Sequence, residues 1–141
     1  MNTLHNPQLH KHIVMPSCLR MPLKSKWFEM TKAGIKTEDY RELTNYWFKR
    51  LFDKYLTHEG KLVSDNIVYS TLSQNKDLIM KYNKPKSFCC NIMTLGYPKS
   101  ADTERILKLE HKGIEIRTGN PEWGAEPNKL YFVVMHGAIL A

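Results

Sequence analysis

The sequence predicts an α+β domain: a small β-barrel of about five to six strands, with two or three short helices in its first half. The chain has 141 residues, the usual length of a single domain. Hydrophobic residues make up 42% of it, enough for a buried core. Helical periodicity dominates before residue 57, and alternating strand patterns dominate after residue 87.

The first strand and the first helix are predicted between residues 18 and 34. Cys18 to Leu23 alternates as a short strand, and Pro22 indicates a sheet edge or a strand end. Ser25 is a suitable N-cap for a helix that ends at Gly34, where glycine accepts the left-handed conformation. The face of this helix that packs on the core is predicted from the spacing of Trp27, Met30 and Ala33.

A second helix is predicted to start at Thr44, which can cap it. Its wide apolar stripe indicates packing against the core and consists of Trp47, Phe48, Leu51, Phe52, Tyr55 and Leu56. The segment at about 58–85 has no clear period and is locally basic, so we interpret it as a variable insertion.

The second half of the chain reads as strands separated by turns. Strands are predicted at 88–95, 105–109, 114–117 and 130–135. Between the last two, Asn120 is a candidate cap and Pro121 fits the first position of a helical turn. We therefore expect a flexible tail over 1–15 and one domain over 16–141.

The charge balance favours a polyanionic partner. The chain has 21 basic and 14 acidic residues and a net charge of +7. Proteins with such a balance commonly bind RNA, DNA, nucleotides or acidic surfaces.

The cysteine pattern and the hydropathy indicate a cytoplasmic protein. There are three cysteines, and Cys89 and Cys90 are adjacent, a poor arrangement for a disulfide, so we expect reduced thiols. No CxxC, signal peptide or apolar run of membrane-spanning length is present. We expect no metal, no cofactor and no membrane association, and a monomer or weak dimer.

The most unusual stretch is 34–42, which carries five charged residues between two helices. A strand over 36–43 with a period of two would place Thr37, Asp39 and Arg41 on one face, and Lys36 on the other. Buried charges are costly without partners, so this strand is poorly suited to a buried sheet.

The spacing of Gly34, Lys36, Asp39 and Arg41 resembles the Gly-x-Lys-x-x-Glu-x-Arg signature of the ASCH family, with Asp39 where Glu is usual. Residues 113–116 and 119–125 are also similar to ASCH proteins of bacteria and their phages, and the likeness spans about 18–138 without the variable middle. ASCH domains are small β-barrels related to the PUA superfamily of RNA-binding folds.

The resemblance implies a cleft that is open to RNA or to a nucleoside-like ligand. Lys36 and Arg41 would contact phosphates or carbonyls, while Asp39 would orient Arg41, act as a general base, or close the barrel as an ion pair. Glu110, with Glu115 competing, is the acidic candidate on a later strand. Further nucleic-acid contacts are expected from Tyr97, Lys99, Arg117 and Trp123.

Two functions follow from the resemblance. The first is an RNA-binding or other nucleic-acid-binding module with a basic cleft. The alternative is a small nucleoside-directed hydrolase, either an amidohydrolase on acylated cytidine or a ribonuclease, that uses Lys36 with Asp39 or Glu110. Asp39 stands where the amidohydrolase pattern has a hydroxyl, which favours binding. A third, weaker hypothesis is an accessory protein of a phage or mobile element that binds a host component.

Overall fold

The structure is a computed structural model that describes residues 17–53, 57–58, 61–62, 80 and 83–140. The predicted tail at 1–15 and most of the predicted insertion at 58–85 lie outside these residues. Within the described part of the chain, no helix combines the length and the apolar character needed to span a membrane.

The architecture is a five-stranded sheet, curled into a half-barrel, with two helices. In chain order the elements are β1 (Cys18–Leu23), α1 (Ser25–Lys32), β2 (Glu38–Arg41), α2 (Asn45–Leu51), β3 (Thr57–His58), β4 (Lys61–Leu62), β5 (Cys90–Leu95), β6 (Ile106–Thr118) and β7 (Leu130–Ile139). The large sheet has the order β1-β5-β6-β7-β2, in which β1 and β5 are parallel and the other pairs are antiparallel. The predicted α+β class is confirmed, and β1 is the edge strand that Pro22 indicates.

One strand replaces two in the second half of the chain. The predicted strands at 105–109 and 114–117 are parts of β6, which continues through the polar segment between them. Its pairing with β7 shifts register on both sides of His111, and Gly113 has a φ of +126°. These bulges interrupt the alternation of side chains, so the sequence pattern suggests a loop where the strand only bends.

The main core cluster is formed by side chains of the large sheet and of the two helices. Its largest fully buried side chains include Phe28, Phe48, Phe52, Phe132 and Met93. The rings of Phe48 and Phe52 stack at 5.0 Å. Burial of such large apolar side chains stabilises each position by roughly 1.5–3 kcal/mol.

The predicted inner face of α1 is wrong by one position. Phe28 and Thr31 are buried, whereas Ala33 is exposed and Trp27 is only half-buried. Ser25 is the first helical residue rather than the cap. Trp27 itself packs against the core cluster, as predicted, and also lines a cleft.

The α2 helix is shorter than its apolar stripe. The Thr44 hydroxyl accepts a hydrogen bond from the Trp47 N–H at 3.3 Å, so the predicted cap is confirmed. The helix ends at Leu51 because Phe52 has extended backbone angles and forms an isolated β-bridge with Pro85.

A disulfide joins Cys18 to Cys90, which differs from the expectation that the cysteines are reduced. These residues are 72 positions apart, but they lie directly opposite each other in the β1–β5 register. Cys89 is free and exposed, so the vicinal pair is not bonded, as predicted.

Candidate nucleic-acid interface

The chain between α1 and β2 places Lys36 just before the strand. Gly34 has a φ of +77°, and the N–H groups of Ile35 and Lys36 both donate to the Met30 carbonyl, at 3.0 and 3.1 Å. The predicted strand at 36–43 is therefore shortened to Glu38–Arg41. Because Lys36 is outside the strand, the period-two rule does not apply to it, and its side chain reaches Asp39.

Lys36 is a buried cation, with only 2% of its surface exposed. Its Nζ donates to the Glu38 carbonyl and lies 3.4 Å from Oδ1 of Asp39. The rings of Trp27 and Tyr40 have their centroids 6.0 and 5.7 Å from this Nζ. Burial lowers the pKa of Lys36, and the carboxylate of Asp39 acts in the opposite direction.

Asp39 bridges Lys36 and Arg41, the two basic residues of the motif that runs from Gly34 to Arg41. Its Oδ2 accepts a hydrogen bond from Nε of Arg41 at 2.6 Å, while its Oδ1 faces Lys36. Nη2 of Arg41 donates to the Pro22 carbonyl at 3.0 Å, which ties the guanidinium to β1. A shared carboxylate offsets the cost of burying two cations, so this arrangement fixes both side chains.

These three residues lie along one side of an open cleft of about 350 Å³, which we call the motif cleft. Its lining consists of Pro22, Leu23, Lys24, Trp27, Lys36, Asp39, Tyr40, Arg41, Glu42, Trp123, Gly124, Glu126 and Tyr131. Three of these side chains are basic and three are acidic, so the cleft is not strongly basic. Four are aromatic, which suits a flat ring as ligand.

A second cavity, of about 400 Å³, adjoins the first and shares Pro22 and Arg41 with it. We call it the arginine cavity, and it is lined by Arg20, Pro22, Arg41, Tyr46, Trp47, Arg50, Thr94, Gly96, Tyr97 and Pro98. Three of its lining residues are arginines and none is acidic. The Trp47 ring lies 4.8 Å from the Arg41 guanidinium carbon and 5.7 Å from that of Arg50. Such contacts hold arginines in place without neutralising their charge, although that of Arg41 is balanced by Asp39.

The arginine cavity also has exposed aromatic rings at its mouth. Tyr97 is 92% exposed and Tyr46 is 64% exposed, unusual values for large rings. The sequence analysis named Tyr97 but missed Arg20, Tyr46 and Arg50. Trp47 packs against the core, as predicted, and also lines this cavity. Nothing local in the sequence indicates that α2 faces β1 here.

Arg117 is held by carboxylates and lines neither cavity. Both of its terminal nitrogens donate to Glu38, and its Nε donates to Glu115 at 3.2 Å. The Tyr40 hydroxyl donates to Glu38 at 2.8 Å and accepts from the Asn120 N–H at 2.9 Å. Burial raises the pKa of Glu38, but the hydrogen bonds from Arg117 and Tyr40 outweigh it and hold the pKa below its usual value.

The other predicted site residues are dispersed. Trp123 lines the motif cleft. Glu110 lies outside both cavities: its Oε1 accepts from the Ala138 N–H at 2.9 Å, and its Oε2 is 3.9 Å from Nζ of Lys112. Lys99 is exposed in the turn after β5 and lines neither cavity.

Behind the motif lies a buried polar network that the sequence analysis did not single out. Asn91 is fully buried; its Oδ1 is 2.8 Å from Nδ1 of His111, and its Nδ2 is 3.5 Å from Nδ1 of His136. Nε2 of His136 is buried without a hydrogen-bond partner among the described residues. Burial, and next the charge of Lys36, lower the pKa of His136 to about 4, so this imidazole is neutral at pH 7. The backbone N–H of His136 donates to the Thr37 carbonyl at 3.0 Å, which ties β7 to the motif.

We find no match to a protein-family model, to a curated protein or to a solved structure. The resemblance to the ASCH family therefore stays a prediction.

Proposed function

We propose that this chain is a single-stranded RNA-binding module whose interface runs across the motif cleft and the arginine cavity. The observation that carries the proposal is the arginine cavity itself: three arginines with exposed aromatic rings and no carboxylate, joined through Arg41 to an aromatic cleft. Proteins that bind single strands combine these two elements, a cationic groove for phosphates and rings on which bases stack.

The motif cleft is assigned to a base. Its volume lies at the lower end of the range for small-molecule sites, about 300–1,000 Å³. Trp27 and Trp123 are half-buried and line this cleft, where a base could contact their rings. The Lys36 ammonium and the Asp39 carboxylate offer a donor and an acceptor to the polar edge of the base.

The arginine cavity is assigned to the phosphates that flank this base. Arg20 and Arg50 are exposed, and Nη2 of Arg50 donates to the Arg20 carbonyl at 2.9 Å, which holds the guanidinium over the cavity. Guanidinium groups bind phosphate through two parallel N–H donors, which makes them well suited to a backbone. Tyr97 then offers a second stacking surface for the next base.

The ASCH assignment is part of this proposal. A five-stranded, half-barrel sheet is compatible with the small closed barrel of that family, and the motif residues Lys36, Asp39 and Arg41 lie together. The RNA-binding folds related to ASCH are the reason for naming RNA rather than DNA as the partner.

The test is equilibrium binding of a fluorescent single-stranded RNA to three proteins. Arg50→Ala is expected to weaken binding by about 1–3 kcal/mol if one charge-assisted phosphate contact is lost. The matched control, Lys108→Ala, removes an exposed charge from β6 outside both cavities and is expected to bind as the wild type does. Equal effects of the two substitutions, or no binding to any RNA tested, would refute the proposal.

Hydrolysis of a nucleoside amide is the second candidate, and one feature favours it. Lys36 is a buried amine with a lowered pKa, 3.4 Å from a carboxylate, at the surface of an aromatic cleft. Groups with such perturbed pKa values are over-represented in active sites. Conversion of N4-acetylcytidine to cytidine by the wild type, and its loss in Lys36→Met, would establish the activity. The absence of turnover on acylated nucleosides and on RNA would refute this second candidate function.

A further inference from the structure

The sulfur atoms of all three cysteines lie together at one end of the β1–β5 pair. Each pair of Sγ atoms among Cys18, Cys89 and Cys90 is separated by no more than 4.8 Å, and Sγ of Cys89 is 3.0 Å from that of Cys18. Backbone pairing fixes this arrangement: Cys18 is opposite Cys90, and the Cys89 N–H donates to the Ser17 carbonyl at 3.1 Å. No other group of three metal-ligating side chains occurs among the described residues.

The cluster is a disulfide with a third thiol beside it. Cys18 and Cys90 are bonded, and Cys89 is free. Two molecules of a thiol reductant such as glutathione would break this bond, each supplying one hydrogen atom and leaving as half of a glutathione disulfide. The product would be three thiols held by two hydrogen-bonded strands.

We propose that the reduced chain binds one thiophilic divalent metal ion such as Zn²⁺ through Cys18, Cys89 and Cys90. Zinc–thiolate bonds of about 2.3 Å place two sulfurs of a tetrahedral site about 3.8 Å apart, a separation within the limit of this cluster. Each thiol releases one proton to solvent as it binds the metal. Thiolates favour Zn²⁺ or Cd²⁺ over hard ions such as Mg²⁺.

The exposure of the three cysteines shows how the metal site would meet solvent. Cys90 is buried, Cys18 is partly exposed and Cys89 is exposed, so the cluster opens to solvent on the Cys89 side. The fourth position would be filled by water or by a small thiol. The disulfide removes two of the three ligands, so the oxidised chain has no site. This inference is independent of RNA binding, because none of the three cysteines lines either cavity.

The test is a titration of the full chain with Cd²⁺ after reduction with a phosphine and its removal under anaerobic conditions. Reduced wild-type protein is expected to bind one Cd²⁺, seen as ultraviolet thiolate-to-metal charge transfer and as the mass of one ion in native mass spectrometry. Added Zn²⁺ should displace it, and oxidised protein should bind none.

Cys89→Ser is the decisive variant, since Cys89 is exposed and its replacement leaves the core intact. Its affinity for Cd²⁺ is expected to fall by more than about tenfold, because removing even a residue that only orients a metal ligand weakens binding by that factor. The double variant His10→Ala/His12→Ala removes two other potential zinc ligands, which are two positions apart in the sequence, and is the matched control; it is expected to bind normally. No stoichiometric binding by the reduced wild type, unchanged affinity in Cys89→Ser, or loss of binding in the histidine variant would each overturn the inference.

Discussion

Mild acid should destabilise this protein through His136. The imidazole is 5% exposed and is surrounded by Asn91 and His111 on neighbouring strands, and by the charges of Lys36 and Asp39 on the motif. Burial, together with Lys36, lowers its pKa to about 4, against an unfolded value near 6.5. Between these values the unfolded chain binds a proton that the folded chain does not.

The sign and size follow from that difference in proton binding. Above about pH 6.5 both states leave His136 neutral, and its pKa difference has no effect on stability. As the pH falls, the free energy of unfolding decreases by about 2 kcal/mol by pH 5, and by about 3 kcal/mol once the pH is below 4. For a domain with a total stability of about 5–15 kcal/mol this is a large fraction.

Urea unfolding at about pH 7.5 and pH 5, followed by tryptophan fluorescence, measures this loss. His136→Gln keeps a hydrogen-bonding side chain but does not titrate, so its stability should fall by about 2 kcal/mol less over the same interval. Burial also lowers the pKa of His111, but that contribution is present in both proteins and cancels in the comparison. An equal loss in the two proteins would refute the reasoning.

Substitutions at three further positions, each followed by urea unfolding, test the packing around the motif and the cap of α2. Gly119→Ala places a Cβ 2.6 Å from the ring of Tyr40, which hydrogen bonds hold in place, so we expect a loss of about 1–3 kcal/mol; wild-type stability would contradict that close approach. Lys36→Met should leave the free energy of unfolding unchanged or raise it, because burial disfavours the charged amine and Asp39 remains paired with Arg41. A loss above about 2 kcal/mol would contradict this. Thr44→Ala should cost about 1 kcal/mol and Thr44→Ser much less, and equal losses would argue against the cap.

Local signals made the predicted elements recoverable from the sequence. Thr44 caps α2 because its hydroxyl reaches a backbone N–H three residues later, and Gly34 ends the turn after α1 because it accepts a positive φ. Asn120 caps its short helical turn by accepting from the Glu122 N–H at 2.9 Å. Each of these features involves residues close in sequence, and each was predicted.

Features that depend on strand register were not predicted. Cys18 meets Cys90 only because β1 lies parallel to β5, and Arg20, Arg41 and Arg50 surround one cavity only because β1, β2 and α2 converge there. No spacing in the sequence encodes these approaches.

The residue at which β2 starts determines whether Lys36 can pair with Asp39. A strand that starts at residue 36 would direct Lys36 away from Asp39, whereas the strand that starts at Glu38 leaves Lys36 free to pair with it. Sequence patterns alone do not locate the start of a strand to within the two residues that separate these alternatives.

The salt dependence of single-stranded RNA binding tests the central proposal most directly. If Arg20, Arg41 and Arg50 each neutralise one phosphate, the logarithm of the association constant should fall with the logarithm of the salt concentration with a slope of about −2. Arg50→Ala should reduce that slope by about 0.7, and Lys108→Ala should leave it unchanged. A slope near zero, or one that Arg50→Ala does not alter, would contradict the assignment of the arginine cavity to the RNA backbone.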